Sequence, residues 1–196
     1  MKAYFLQRIG AYFIDTLVIG VISVLFTFWI PISKSYDAAF QSLKDTTEQY
    51  INNEISESTY IALSNEYNYV IKKVSFIIDL VQLIIIVGYF GTYSYYKDGK
   101  TLGKKVMKIK ISSNNNNSLN HVLLILRSLF VHGVLINSLS MILLLILHKN
   151  DYLLMDNIFN VIQSIFVIFS LFLIIFRKDG RGLHDLIAKT KVVIDK

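Results

Sequence analysis

Arg8, Asp15, Asp79 and Arg127 lie in or at the ends of long apolar runs, and Asp185 follows the last of these runs. On insertion scales each such charge costs about 2.5–3.5 kcal/mol near the centre of a membrane helix, so it needs a partner. Arg8, Asp15, Arg127 and Asp185 suit a proton or ion relay, or polar glue that fixes helix register; glue is the expectation. Arg8 and Asp15 stand seven residues apart with Ala11 between them, which puts all three on one helical stripe. Asp15 and Arg127 should both lie about 9–10 Å deep from the same side at 1.5 Å per residue, which predicts an Asp15–Arg127 ion pair. Asp79, with Gln82 three residues on, belongs to a second polar layer at the opposite interface, where it meets Lys149, His148 or water.

His132, one turn from Ser128, is placed to carry a proton, although a neutral, hydrogen-bonded packing role is expected. Gln163, three residues after Asn160, either lines a polar path or bonds a neighbouring helix. His132, Asp79 and Gln163 are thus the candidates for a proton path. His184–Asp185 lacks the further ligands or partners of a metal or hydrolase site, and Asp185 is expected to cap a helix or pair with Arg8 or Arg181. Lys104–Lys105 after Gly103 does not complete a phosphate-loop motif; anionic lipid headgroups are the expected partner. With no cysteine in the chain, disulfides, thiolate metal sites and cysteine nucleophiles are excluded. We expect no catalytic constellation, no cofactor and no metal.

These residues must be positioned by membrane helices. In 196 residues, 54% are hydrophobic and 17% charged, and the mean hydropathy is +0.50, a membrane-protein composition. Crossing about 30 Å of hydrocarbon takes about 20 helical residues. Four runs suffice, at about 9–30, 74–96, 121–147 and 153–176. The first reads as an uncleaved signal anchor, and the last two as a tight hairpin around residues 148–152.

The net charge of +6 is assigned to a membrane face rather than to nucleic acid. Lys and Arg concentrate in the N-terminus (Lys2, Arg8), the 97–120 loop (Lys97, Lys100, Lys104, Lys105, Lys108, Lys110) and the tail (Arg177, Lys178, Arg181, Lys189, Lys191, Lys196). The remaining loops hold only Lys34, Lys44, Lys72, Lys73 and Lys149. Positive loops resist translocation, so both termini are expected in the cytoplasm and residues 32–73 outside. In that exterior insert, Phe40, Leu43, Thr47, Tyr50 and Ile51, then Tyr60, Leu63, Tyr67, Val70, Ile71 and Val74, recur at helical spacing and predict two helices broken near Asn52–Asn53, the second running on into the membrane. Lys108–Ile111 and Lys189–Val192 alternate polar with apolar and predict a small cytoplasmic strand pair. Asn114–Asn117 with Ser118 reads as a loop after the first strand. The fold class is an all-α, four-helix, single-domain membrane protein, N-in and C-in.

The chain resembles the RDD family of small bacterial membrane proteins. The resemblance is carried by Arg8-Ile9-Gly10-Ala11-Tyr12-Phe13-Ile14-Asp15, Thr101-Leu102-Gly103-Lys104-Lys105, Leu126-Arg127, and Gly182-Leu183-His184-Asp185-Leu186-Ile187-Ala188-Lys189-Thr190. It covers nearly all of the chain outside residues 32–73. It implies that Arg8, Asp15 and Asp185 are the family's eponymous Arg and two Asp, and that the protein resides in a bacterial plasma membrane. For function it implies transport, with cation/proton exchange in some members. The insert is larger than the family pattern needs, which points to a specialised member. The expectation is a non-catalytic interaction or regulatory protein using that insert, partnered by the lipid bilayer and by another membrane or extracytoplasmic protein or a second copy. The alternative is an oligomeric ion or small-molecule transporter, because four helices are few for a solitary carrier.

Overall fold

The computed structural model describes residues 1–31, 33–114 and 118–195; the predicted loop at Asn115–Asn117 lies outside them. Among the described residues three helices are long and apolar enough to cross a membrane: α1 (Phe5–Thr27), the stretch Phe76–Tyr96, and α9 (Lys149–Phe176). The Phe76–Tyr96 stretch comprises α4 (Phe76–Val87), a π-helical turn (Gly88–Tyr93) and the short α5 (Ser94–Tyr96).

The third predicted span is not one rod. It is α7 (His121–Val131) and α8 (Val134–Ile146), bent by 68° and forming a fourth crossing only if the pair is counted together. Unbroken apolarity across residues 121–147 hid the bend, which occurs at Gly133. This glycine adopts φ +64°, a left-handed conformation that ends a helix.

The insert forms α2 (Lys34–Ile51) and α3 (Glu57–Val74). Ser33 and Ser56 cap their N-termini by accepting the amides of Tyr36 and Thr59. The turn between them passes through Asn53 at φ 59°. α3 meets α4 with an interruption only at Ser75, close to the predicted rod. α8 and α9 are joined through Leu147 and His148 alone; residues 149–152, expected in the hairpin's loop, form the first turn of α9.

At the other end, α6 (Leu102–Val106) leads into β1 (Ile109–Ser113), and α10 (Leu183–Ile187) leads into β2 (Thr190–Ile194). The strands pair antiparallel, with Ile109 opposite Ile194 and Ile111 opposite Val192. The N-terminus adds to them: Ala3 N–H donates to Val192 O (3.1 Å), and Ile194 N–H to Met1 O (3.0 Å). The N-terminus, the 97–120 loop and the tail, the three segments richest in Lys and Arg, therefore share one end of the molecule.

The apolar core is small. Ala3, Ala11, Ile109, Ile111, Leu124 and Val192 form one cluster beneath the strands, and Ile19, Tyr89 and Phe90 form another. Most large apolar side chains on α1 and α9, among them Leu17, Val21, Ile165 and Ile168, are exposed. That surface suits contact with lipid chains, while the helical backbone satisfies itself internally.

Candidate functional site

Charge is buried in two adjoining clusters where α1, α6, α7 and α10 meet. α1 presents one stripe inward, Arg8, Ala11 and Asp15, as the spacing predicts; Asp15 is 1% exposed. Its Oδ1 accepts the Tyr89 hydroxyl (2.7 Å) and the Gly103 N–H (2.7 Å). Its Oδ2 accepts the Thr101 hydroxyl (2.5 Å) and faces Lys104 Nζ at 3.7 Å. These donors satisfy both oxygens of the buried Asp15 carboxyl group.

Gly103 makes the approach possible. A Cβ there would fall on the Ala11 carbonyl oxygen and lie 2.9 Å from the Asp15 carboxyl carbon, so α6 can reach α1 only through a residue without a side chain. The π-helical turn aims Tyr89, whose hydroxyl also accepts the Leu102 N–H (3.0 Å). Burial lowers the Lys104 ammonium to about 8, against the pull of Asp15.

Asp185, fully buried, anchors the second cluster. Arg127 donates to its Oδ1 in a short contact, and Arg8 Nη1 to its Oδ2 at 3.3 Å. The Thr190 hydroxyl (3.3 Å) and the Gly182 N–H (3.2 Å) complete its shell. Burial alone would raise the Asp185 carboxyl; the charges of Arg127 and Arg8 and the Gly182 N–H outweigh it and hold the group below its ordinary value.

The predicted Asp15–Arg127 pair is therefore incorrect. α10 interposes Asp185 beside Arg127, while α6 covers Asp15. Equal depth in two helices does not set their rotation, and a tail segment after the last span was free to fold back between them. The Asp185–Arg8 pairing agrees with expectation, whereas Arg181 instead pairs with Asp179 (2.8 Å).

His184 Nδ1 and Ser170 Oγ share a 2.8 Å hydrogen bond, and Ser170 Oγ also accepts the Leu183 N–H (3.2 Å). Burial, then the charge of Arg127, pushes His184 down to about 3, leaving the ring neutral. Its Nε2 lies 3.5 Å from Asp185 Oδ2, beyond hydrogen-bond length. The serine fastens α10 to α9, and Asp185 turns toward guanidinium groups rather than orienting the histidine for base catalysis.

His132 stacks on Phe90 with ring centroids 3.6 Å apart. Among the described residues its packing is aromatic rather than through the expected hydrogen bond. Gln163 abuts the bend: a Cβ on Gly133 would lie 3.3 Å from its amide and 3.6 Å from Asn137 Nδ2. Asn160 donates to Asp156 on its own helix (3.2 Å). Asp79 does belong to a separate layer, accepting the Ser75 hydroxyl at 3.1 Å. Lys149 pairs with Glu66 instead (3.4 Å). Among the described residues no group of three or more His, Cys, Asp and Glu is placed to hold a metal ion.

The RDD family model matches residues 2–189, taking in Arg8, Asp15, Arg127 and Asp185. The chain belongs to the RDD family. No curated protein and no solved structure matches it. In this RDD protein Arg8, Asp15 and Asp185 are not one triad: Arg8 joins Asp185 directly, while Asp15 stands in the neighbouring cluster with Lys104. Sequence reading missed Tyr89, Thr101, Lys104 and Thr190 as partners, since tyrosine, threonine and lysine at an interface carry no special signal. It also missed Asp156, a carboxylate early in the last span that accepts the Ser140 hydroxyl at 2.5 Å. That one had a signal, an acid within an apolar helix.

Proposed function

We propose that this RDD protein is a non-catalytic interaction or regulatory protein of the bacterial plasma membrane, with both termini and the 97–120 loop cytoplasmic and the α2–α3 hairpin outside. The observation that carries this reading is the commitment of the buried charges. Asp15 and Asp185 are each enclosed by donors from several segments and clamp the helix ends together. Groups so enclosed serve register rather than a moving ion. The hairpin is the part with surface to spare: Phe40, Ile51 and Ile61 are exposed on it, and it reaches the bundle through α3, where Tyr69 packs on Tyr152.

Cation/proton exchange by an oligomer is the second reading, and one observation favours it. The bend at His132–Gly133 lies between a cavity near Arg8 and Asp15 and a second cavity lined by Asp79, Gln82, Asn137 and Ser140. Helices broken at mid-membrane are where carriers bind ions.

The chain has no cysteine, so Ser42→Cys in intact cells should react with an impermeant maleimide; labelling only after permeabilisation would overturn the topology. Photo-crosslinkers at Phe40 and Ile61 should give a discrete adduct in native membranes, and proteoliposomes should carry little pH-gradient-driven Na⁺ or K⁺ flux. Robust flux that survives deletion of residues 36–70 and vanishes in Asp15→Asn would make the protein a transporter.

A further inference from the structure

The cavity near Arg8 and Asp15, about 400 Å³, lies between α1 and α9 with α7 behind it. This volume falls within the roughly 300–1,000 Å³ of small-molecule sites. Its inner end is cationic and its walls are apolar. Arg8, Lys104 and Arg127 line it, their side chains 10–12% exposed, against the carboxylates of Asp15 and Asp185, so the buried cluster carries one positive charge in excess. Arg8 is also incompletely paired: its Nε is buried without a hydrogen-bond partner among the described residues. A buried guanidinium N–H left without an acceptor is costly, and the excess positive charge beside it favours an anion in the cavity.

The mouth determines what kind of anion. Ile9 and Tyr12 of α1 and Val167 and Leu171 of α9 line the cavity and are exposed, and both helices are long and apolar enough to span a bilayer. The cleft therefore opens sideways toward lipid chains rather than toward water. A free aqueous anion has no route through that mouth, and a hydrocarbon chain alone leaves the excess charge unmet. A second copy of the chain offers no matching charge, because the other acids within its spans, Asp79 and Asp156, are half-buried at the opposite end and bonded to Ser75 and Ser140.

We infer that this cleft binds an acidic glycerophospholipid, with its phosphate against Arg8 and Lys104 and one acyl chain between Tyr12, Phe130 and Phe166. The phosphate balances the excess positive charge beside Arg8 and Lys104, while the chain covers the apolar walls. The site is distinct from the surface lysines of the same face, and it stands whether the protein regulates or transports.

A single-tryptophan reporter tests it. The one native tryptophan, Trp29, is exposed and is replaced in a Trp29→Phe, Phe166→Trp chain, which is titrated in detergent with dibrominated phosphatidylglycerol or dibrominated phosphatidylcholine. The expected result is half-maximal quenching by the acidic lipid at about tenfold lower concentration, unaffected by millimolar inorganic phosphate, with most of that preference lost in Lys104→Gln. The comparison of the two lipids on the reporter chain with Lys104 intact stands even if Lys104→Gln fails to fold. Equal quenching by the two lipids, relief by inorganic phosphate, or an intermolecular disulfide between Ile9→Cys and Leu171→Cys in native membranes would each overturn the proposal, the last by placing a second copy in the cleft.

Discussion

The two ends of this molecule handle charge in opposite ways. At the end shared by the N-terminus, α6 and α10, Arg8, Asp15, Lys104, Arg127 and Asp185 are withdrawn from water and bonded across segments distant in sequence. At the α2–α3 end, charges are spread over solvated helix faces. Lys44 and Glu48 approach only to 4.0 Å with more than half of each side chain exposed, and the Lys149–Glu66 pair is also largely exposed. Surface pairs of this kind contribute at most about 1 kcal/mol. A buried network instead makes every member depend on the others, because losing one leaves the rest uncompensated. One end is thus built to admit a single arrangement of the chain, and the other holds a hairpin that can change without disturbing the bundle.

The contrast breaks most directly at Asp185. Asp185→Asn leaves Arg8 and Arg127 facing a neutral amide and should cost about 3–5 kcal/mol, read as a large drop in thermal unfolding temperature in detergent. If the variant unfolds like wild type, the cluster is not the clamp described. Gly103→Ala comes next. A methyl group directed at the Ala11 carbonyl must push α6 off α1, at a cost of about 2–3 kcal/mol; loss of the Asp15 contacts should appear as increased protease cleavage in the 97–120 loop.

Acid should act on the same end. His184 falls from 6.5 to about 3 on folding, chiefly through burial and the charge of Arg127. The unfolded chain binds the extra proton between those values, so stability is fully present above about pH 6.5 and declines as pH falls toward 3. In unfolding measured across that window, His184→Gln should flatten the slope; an unchanged slope would assign the acid sensitivity elsewhere. Glu66→Gln at the opposite end should change stability by less than about 1 kcal/mol, and a larger loss would mean that the hairpin is anchored more firmly than its exposed contacts indicate.

Much of the arrangement was legible because it depends on local chemistry. Alternation at Lys108–Ile111 and Lys189–Val192 marked the strand pair, helical periodicity marked α2 and α3, and seven-residue spacing put Arg8 and Asp15 on one buried stripe. The addition of the N-terminus to β1–β2 carried no signal, since Met1–Ala3 joins through backbone groups that every residue possesses. The bend at Gly133 was equally silent, as a glycine in a membrane run is commonplace until its φ is known.

The sequence by itself determined that the chain is a membrane protein, that its ionisable residues inside the apolar runs need partners, and which segments carry positive charge. These follow from the cost of transferring each side chain out of water, a property of the residue alone. Only the tertiary structure decided which charge meets which. That Arg127 reaches Asp185 while Asp15 is enclosed by Tyr89, Thr101, Gly103 and Lys104 depends on helix rotation and on where α6 and α10 fold back. Those are set by packing between segments far apart in the chain, which no spacing along one helix encodes.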